Sequence, residues 1–414
     1  MFFGASASLD GCCFERLGPR TLGDAGSSRR EAMRLPGKMS RTDFKSKLYY
    51  RTCCLALFFL AAAASFNGFY GKWHFREAGT SAFMAGASLD AMLDGTAMRP
   101  YVYRQLLPML ANWIDARVPD QTKDRLYAAT LYNGKLFRED FIDSPLARNR
   151  ACFLRYWVVY TAVFLFAWIA VHAMYLAAKA AGYPPAASAL AAIAMILLLP
   201  YFLTRGGFLY DFPELAFFAL AVWMALKFDW GWMVPVVALA AWNKESFLLF
   251  IPALYPLLRR RSSRLSALAG TTLLGLTCAA VYGLLRLRFQ HNPGGTVELH
   301  LSDQIDYMLH PSNLLLREKT YGLLVLQGFN PLLWALIAWT ALRGWRFLPR
   351  PLQRHAQIAA IINFPLYLLF CVPGELRDLS LLYVTLLFLL AANLTAWIAS
   401  CVGERGNAPT RQSA

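Results

Sequence analysis

Apolar residues run along this chain in long blocks separated by short polar turns. The blocks lie at 53–70, 153–177, 186–204, 212–226, 228–242, 246–258, 265–285, 321–342, 357–373 and 379–401. Most carry almost no charge, and several approach the ~20 apolar residues that a helix needs to cross a bilayer. The pattern predicts an all-α polytopic membrane protein with about 10 transmembrane helices. Two intervals lack it and read as extracytoplasmic loops, 71–152 and 286–320. In the first, "YVYRQLLPMLANWIDARV" puts Tyr103, Leu106, Leu107, Leu110 and Ile114 on one helical face, which predicts a helix lying in the membrane interface. In the second, "SDQIDYMLHPSN" predicts another, with Ile305, Met308 and Leu309 apolar.

One run is interrupted by charge. "LAAWNKESFLLF" sets Asn243, Lys244 and Glu245 between apolar flanks. If the chain turns there, one set of loops holds Lys179, Lys227, Arg259, Arg260, Arg261, Arg264, Arg343, Arg346, Arg350, Arg354, Arg405 and Arg411 against Asp229 and Glu404. The opposite turns hold Arg205, Lys244 and Arg377 against Asp211, Glu214, Glu245, Glu375 and Asp378. That is the asymmetry of a protein with both termini in the cytoplasm. A single unbroken helix over 228–258 would reverse it. The flanking blocks reach roughly 20 Å each against a hydrocarbon core of ~30 Å. The turn is therefore expected below the outer surface, where ionisable groups point to function.

Composition narrows the class further. Hydrophobic residues make up 57% and charged ones 16%, with a net charge of +16. An ordinary soluble domain has roughly a quarter charged residues. The basic residues sit between apolar blocks, which argues for topology and against nucleic acid. The eight cysteines contain no CxxC, and the histidines show no ligand spacing, so neither a metal site nor a cofactor is expected. Residues 1–52 read as a basic, disordered cytoplasmic N-terminus, with Met39 a second plausible start. The first apolar run reads as an uncleaved anchor; a cleaved signal peptide is the alternative. Residues 53–401 form the membrane domain and 402–414 a cytoplasmic tail.

The polar groups of the outer side supply the candidate chemistry. "REAGTSAFMAGASLDAMLDGTAMRPYVYR" carries Glu77, Asp90, Asp94, Arg99, Tyr101, Tyr103 and Arg104. Arg99 and Arg104 suit phosphate oxygens, or they anchor the interfacial helix to headgroups. Asp211 and Glu214 have capping-box spacing with Pro213 between them, or they line a cavity with Arg205. Asn243 and Ser246 suit helix caps. Lys244 and Glu245 form a structural pair or touch substrate. In "VPGELRDLS", Asp378 suits an N-cap, Glu375 and Arg377 suit a pair, and Arg377 is a further phosphate candidate.

This layout resembles the GT-C class of integral membrane glycosyltransferases, and "REAGTSAFMAGASLDAMLDG" is similar to the first-loop pattern of that class. The resemblance implies transfer of a sugar from a polyprenyl-phosphate donor on the outer face of a membrane, such as a bacterial inner membrane. It implies Glu77 as catalytic base and Gly95 as the end of the following helix. The class more often carries Asp at this place, so Asp90 and Asp94 stand as alternatives. Arg99, Arg104, Lys244 and Arg377 would bind the phosphate. Tyr101, Tyr103, Asp211, Glu214, Asn243, Glu245 and Glu375 would line the cavity. A transporter or flippase is the competing reading, and a polysaccharide polymerase, ligase or membrane acyltransferase a third.

Overall fold

The computed structural model describes residues 41–73, 86–132, 141, 144–204, 207–295 and 299–406. Most of the basic N-terminus, Glu77 and its surrounding loop, Arg205 and the end of the tail lie outside them. The chain forms two units, residues 1–52 and 53–414. The described part of the first is the start of a helix; the second holds all that follows.

That helix is α1 (Arg41–Trp73). After it come α2 (Leu89–Asp94), a 3₁₀ turn at Tyr101–Tyr103, α3 (Leu106–Asp115), α4 (Asp120–Tyr132) and the single turn α5 (Pro145–Arg148). Next are α6 (Phe153–Ala181), α7 (Pro185–Phe202), α8 (Asp211–Lys227), α9 (Val234–Asn243), α10 (Ser246–Leu258) and α11 (Arg264–Arg288). The chain ends with α12 (Leu301–Leu309), the hairpin β1 (Arg317–Thr320) and β2 (Leu323–Leu326), α13 (Pro331–Trp345), α14 (Arg350–Phe370) and α15 (Tyr383–Gly406). Among the described residues, 5 helical segments are long and apolar enough to cross a membrane: Thr52–Lys72, Phe153–Ala181, Pro185–Phe202, Arg264–Arg288 and Leu376–Cys401. The fold is thus all-α in character and that of a membrane protein.

Small residues explain the central packing. α6 lies along α8 and α7. Ala162, Ala167, Ala170, Ala173 and Ala177 of α6 are buried, as are Ala216, Ala219, Ala221 and Ala225 of α8. Lipid gives helices no hydrophobic reason to associate, so close backbone approach and dispersion hold them together. Gly182 ends α6 at φ +105°, a conformation open to glycine, and Pro185 starts α7. α10 packs between α11 and α14, and α9 packs on α8 and α11.

Several sequence expectations change. Block 321–342 is not one helix. Tyr321 and Gly322, both at positive φ, close a two-residue hairpin loop, and helix resumes only at Pro331. Tyr321 is held in place by donating its hydroxyl to the Leu197 carbonyl at 2.8 Å. The helix expected within 101–118 starts at Leu106, after a 3₁₀ turn that buries Tyr103 against Tyr282. Its buried residues are Leu107, Pro108 and Ala111, so the expected apolar face is split and Leu110 is exposed. α12 does form, with Ile305, Met308 and Leu309 exposed.

Candidate functional site

The interrupted run is a helix break. α9 stops at Asn243, Lys244 is extended at φ −159° and ψ 139°, and α10 begins at Ser246. Neighbouring side chains therefore point to different partners. Lys244 Nζ donates to Glu214 Oε2 at 2.8 Å. Glu245 faces Arg104 instead, with Nη2–Oε1 at 2.7 Å and Nε–Oε2 at 3.3 Å. Lys244 and Glu245 are not a pair with each other.

Glu214 ties three segments together. Besides Lys244, its Oε1 accepts the Ser246 hydroxyl at 2.5 Å and the Ser380 hydroxyl at 2.9 Å. The side chains of Lys244 and Glu214 are only 9% and 5% exposed. Three accepted hydrogen bonds, and not Coulomb attraction alone, offset the burial of the Glu214 carboxylate. Neither capping expectation survives. Glu214 does not return to the helix start, and Asp211 Oδ2 accepts from the Phe208 amide at 2.6 Å. Ser246 caps nothing, and Asn243 Nδ2 donates to the Tyr210 carbonyl at 3.0 Å.

Aromatic rings complete the wall. The Arg104 guanidinium lies 4.2 Å from the Tyr210 ring centroid and 5.2 Å from that of Tyr101, and it donates to the Tyr210 hydroxyl. Arg377 lies 4.5 Å from the Phe208 centroid. Its Nη2 donates to Glu375 at 3.0 Å, its Nη1 lies 3.8 Å from Asp211 and its Nε 3.9 Å from Asp378. Burial opposes the charge of Arg104, but Glu245 more than restores it and raises its pKa. Burial also raises the Tyr101 phenol, against the pull of Arg104 and Arg377.

These groups surround a cavity of about 470 Å³. Arg99, Tyr101, Arg104, Lys244, Glu245 and Arg377 line it together with Tyr210, Tyr282, His300, Asp378 and Ser380. Leu249, Leu366, Phe370, Val372 and Leu381 add apolar lining. The rim near Arg99 is a close backbone contact. Arg99 N–H donates to Pro293 O at 2.8 Å, and Arg99 Nη2 donates to Gly294 O at 2.6 Å. Gly294 sits at φ +99°, and a Cβ there would come within 2.7 Å of the Arg99 carbonyl. Among the described residues, Arg99 is the lining Arg or Lys with no carboxylate at ion-pair distance, and its buried Nε has no hydrogen-bond partner.

The remaining sequence candidates fall elsewhere. Asp211, Glu214, Asn243 and Glu375 are buried behind the lining and hold it in place. Tyr103 packs behind Tyr282. Asp94 pairs with Arg155 at 2.6 Å, and Asp90 lies on the same helix; neither lines the cavity. Glu77 and Arg205 lie outside the described residues. Sequence reasoning weighed His300 only as a metal ligand and passed over Tyr210, Tyr282 and the "NPGG" turn, although adjacent glycines there signal a close backbone approach. Asp378, read as a cap, lies on the cavity wall. No family model, no curated protein and no solved structure matches the chain.

Proposed function

We propose that the protein is a membrane glycosyltransferase resembling the GT-C class, which moves a sugar from a polyprenyl-phosphate donor to an acceptor at the extracytoplasmic face. The observation that carries the reading is the convergence of Arg99, Arg104, Lys244 and Arg377 on one cavity that also has apolar lining. The phosphate would sit among the cations and the prenyl chain along Leu249, Leu366 and Phe370. The acceptor hydroxyl attacks the anomeric carbon and a carboxylate takes its proton. As the bond from that carbon to the phosphate oxygen breaks, the leaving phosphate gains one negative charge, which fixed cations stabilise. The resemblance gives the base role to Glu77; Asp378 is the carboxylate of the wall without a short ion pair.

The same reading includes about 10 crossings, with α8, α9, α10, α13 and α14 added to the longer helices and the α9–α10 tip recessed. It also places both termini in the cytoplasm, at a bacterial inner membrane or its equivalent. Two groupings support that topology. Segments assigned to the outer side by charge counting meet in the cavity, and 225–230 and 258–266, assigned to the inner side, meet in a separate small pocket. The break at Lys244 also suits a flippase, since transporters place broken helices at binding sites.

The test is transfer from a labelled polyprenyl-phosphate sugar in proteoliposomes. Arg99→Gln is expected to lower it about 100-fold with unchanged thermal stability, and Glu77→Gln by at least that much. Full transfer by Arg99→Gln would refute the site. Lipid translocation without any transfer would establish the flippase reading instead.

A further inference from the structure

We infer a second site at the far end of the α9–α10 pair, which holds the phosphate of an anionic phospholipid headgroup. The inference rests on the membrane architecture and not on the enzyme reading.

The turn after α8 and the turn between α10 and α11 lie side by side there. They enclose a pocket of about 130 Å³, whose polar lining is Asp229, Arg261, Ser262 and Ser266. α10 separates it from the large cavity by its full length, roughly 20 Å. Arg259, Arg260, Arg261 and Arg264 are all exposed around it. Among the described residues none of the four has a carboxylate at ion-pair distance. Arg261 Nη1 reaches only the Leu226 carbonyl, at 3.5 Å, and Arg259 Nη1 donates to Ser262 O at 2.8 Å. The Arg261 guanidinium and the Ser266 hydroxyl at a small concavity suit phosphate oxygens, whereas Ser262 turns its hydroxyl to the Leu258 carbonyl at 3.0 Å.

Two features select a lipid over a free anion. Asp229 shares the pocket and disfavours a doubly charged inorganic phosphate more than a singly charged phosphodiester. Phe228, Trp232, Leu265 and Leu268 lie exposed beside it, an apolar surface next to the cations for acyl chains. Trp230 closes the pocket by packing on Gly270, where a Cβ would come within 2.6 Å of the indole. Arginines that merely obey the positive-inside rule need no pocket, and each would contribute alike.

The experiment measures retention of phosphatidylglycerol over phosphatidylcholine by the purified full-length protein, using native mass spectrometry. Arg261→Ala is expected to cut the preference about ten-fold and Ser266→Ala about three-fold. Arg260→Ala, outside the lining, is expected to stay within about two-fold. Arg261→Lys retains the charge and controls for folding; it should recover part of the loss. Equal losses for Arg260→Ala and Arg261→Ala would overturn the pocket in favour of general surface charge. Absence of any preference in the unmodified protein, or stripping of the lipid by millimolar inorganic phosphate, would also overturn it.

Discussion

Lys244→Met removes the cation that Glu214 faces inside the protein. At 2.8 Å two unit charges attract by about 6 kcal/mol at an effective dielectric constant of about 20. Desolvating both ions costs several kcal/mol each, so the intact pair adds little net stability. Removing one member is different, because the other charge stays buried. That typically costs about 3–5 kcal/mol. Glu214 keeps the hydroxyls of Ser246 and Ser380, which places the expected loss near the lower end, about 3 kcal/mol. Glu214→Gln strands Lys244 in the same way and should lose a similar amount. The double variant Lys244→Met with Glu214→Gln buries no net charge, and Gln can still accept from both serines. It should lie within about 1 kcal/mol of the unmodified protein and be more stable than either single variant. Equilibrium unfolding in mixed micelles, followed by tryptophan fluorescence, measures all four proteins. If the double variant is less stable than both singles, the losses add, and the ion pair does not hold the break between α9 and α10.

Two further outcomes follow from close contacts. Gly294→Ala should cost about 2–4 kcal/mol, because it combines a left-handed φ with a clash against fixed backbone at the cavity rim; the same unfolding assay reads it, and a neutral result would refute the rim geometry. Lys72 pairs with Glu318 and donates to the Pro200 carbonyl at 2.6 Å, which pins the hairpin to α1 and α7. Lys72→Met should speed amide hydrogen exchange at residues 317–326 well before global unfolding; unchanged exchange would show the hairpin is held otherwise.

The reading of "NKES" shows where sequence reasoning reached and where it stopped. Charge asymmetry was sufficient to place a turn within "NKES", because it follows from local composition, and the helix breaks there at Lys244. The partners were not legible. Lys244 finds Glu214, 30 residues earlier, and Arg104 finds Glu245, 141 residues later. No spacing rule connects such positions, whereas adjacency suggested a Lys244–Glu245 pair that extended backbone rules out. Capping-box spacing at Asp211 and Glu214 misled for a related reason. The start of α8 is itself buried, yet Glu214 turns to a buried lysine and two serines, a charge and two hydroxyls that outweigh one amide at the helix end. The hairpin at 317–326 was hidden by its apolar second strand, since "LLVL" reads equally well as the start of a helix. Only the Tyr-Gly turn with its positive φ angles separates the two.

The charge pattern around the cavity also ranks its cations. Arg104, Lys244 and Arg377 each have a carboxylate within 2.7, 2.8 and 3.0 Å. A ligand anion must compete with that carboxylate, so these three residues mainly hold the wall together. Arg99 donates to a neutral carbonyl, which an anion displaces at far lower cost. On the glycosyltransferase reading, charge accumulates on the departing phosphate, and the cation with least prior compensation responds most to it. Stability and transfer should therefore separate along the wall. Changes at Lys244 unfold the site before they inform on chemistry, whereas changes at Arg99 leave the fold intact and act on the ligand. A lysine that looks most conspicuous in the sequence is then a structural element of the site, and the arginine beside Pro100 is its handle.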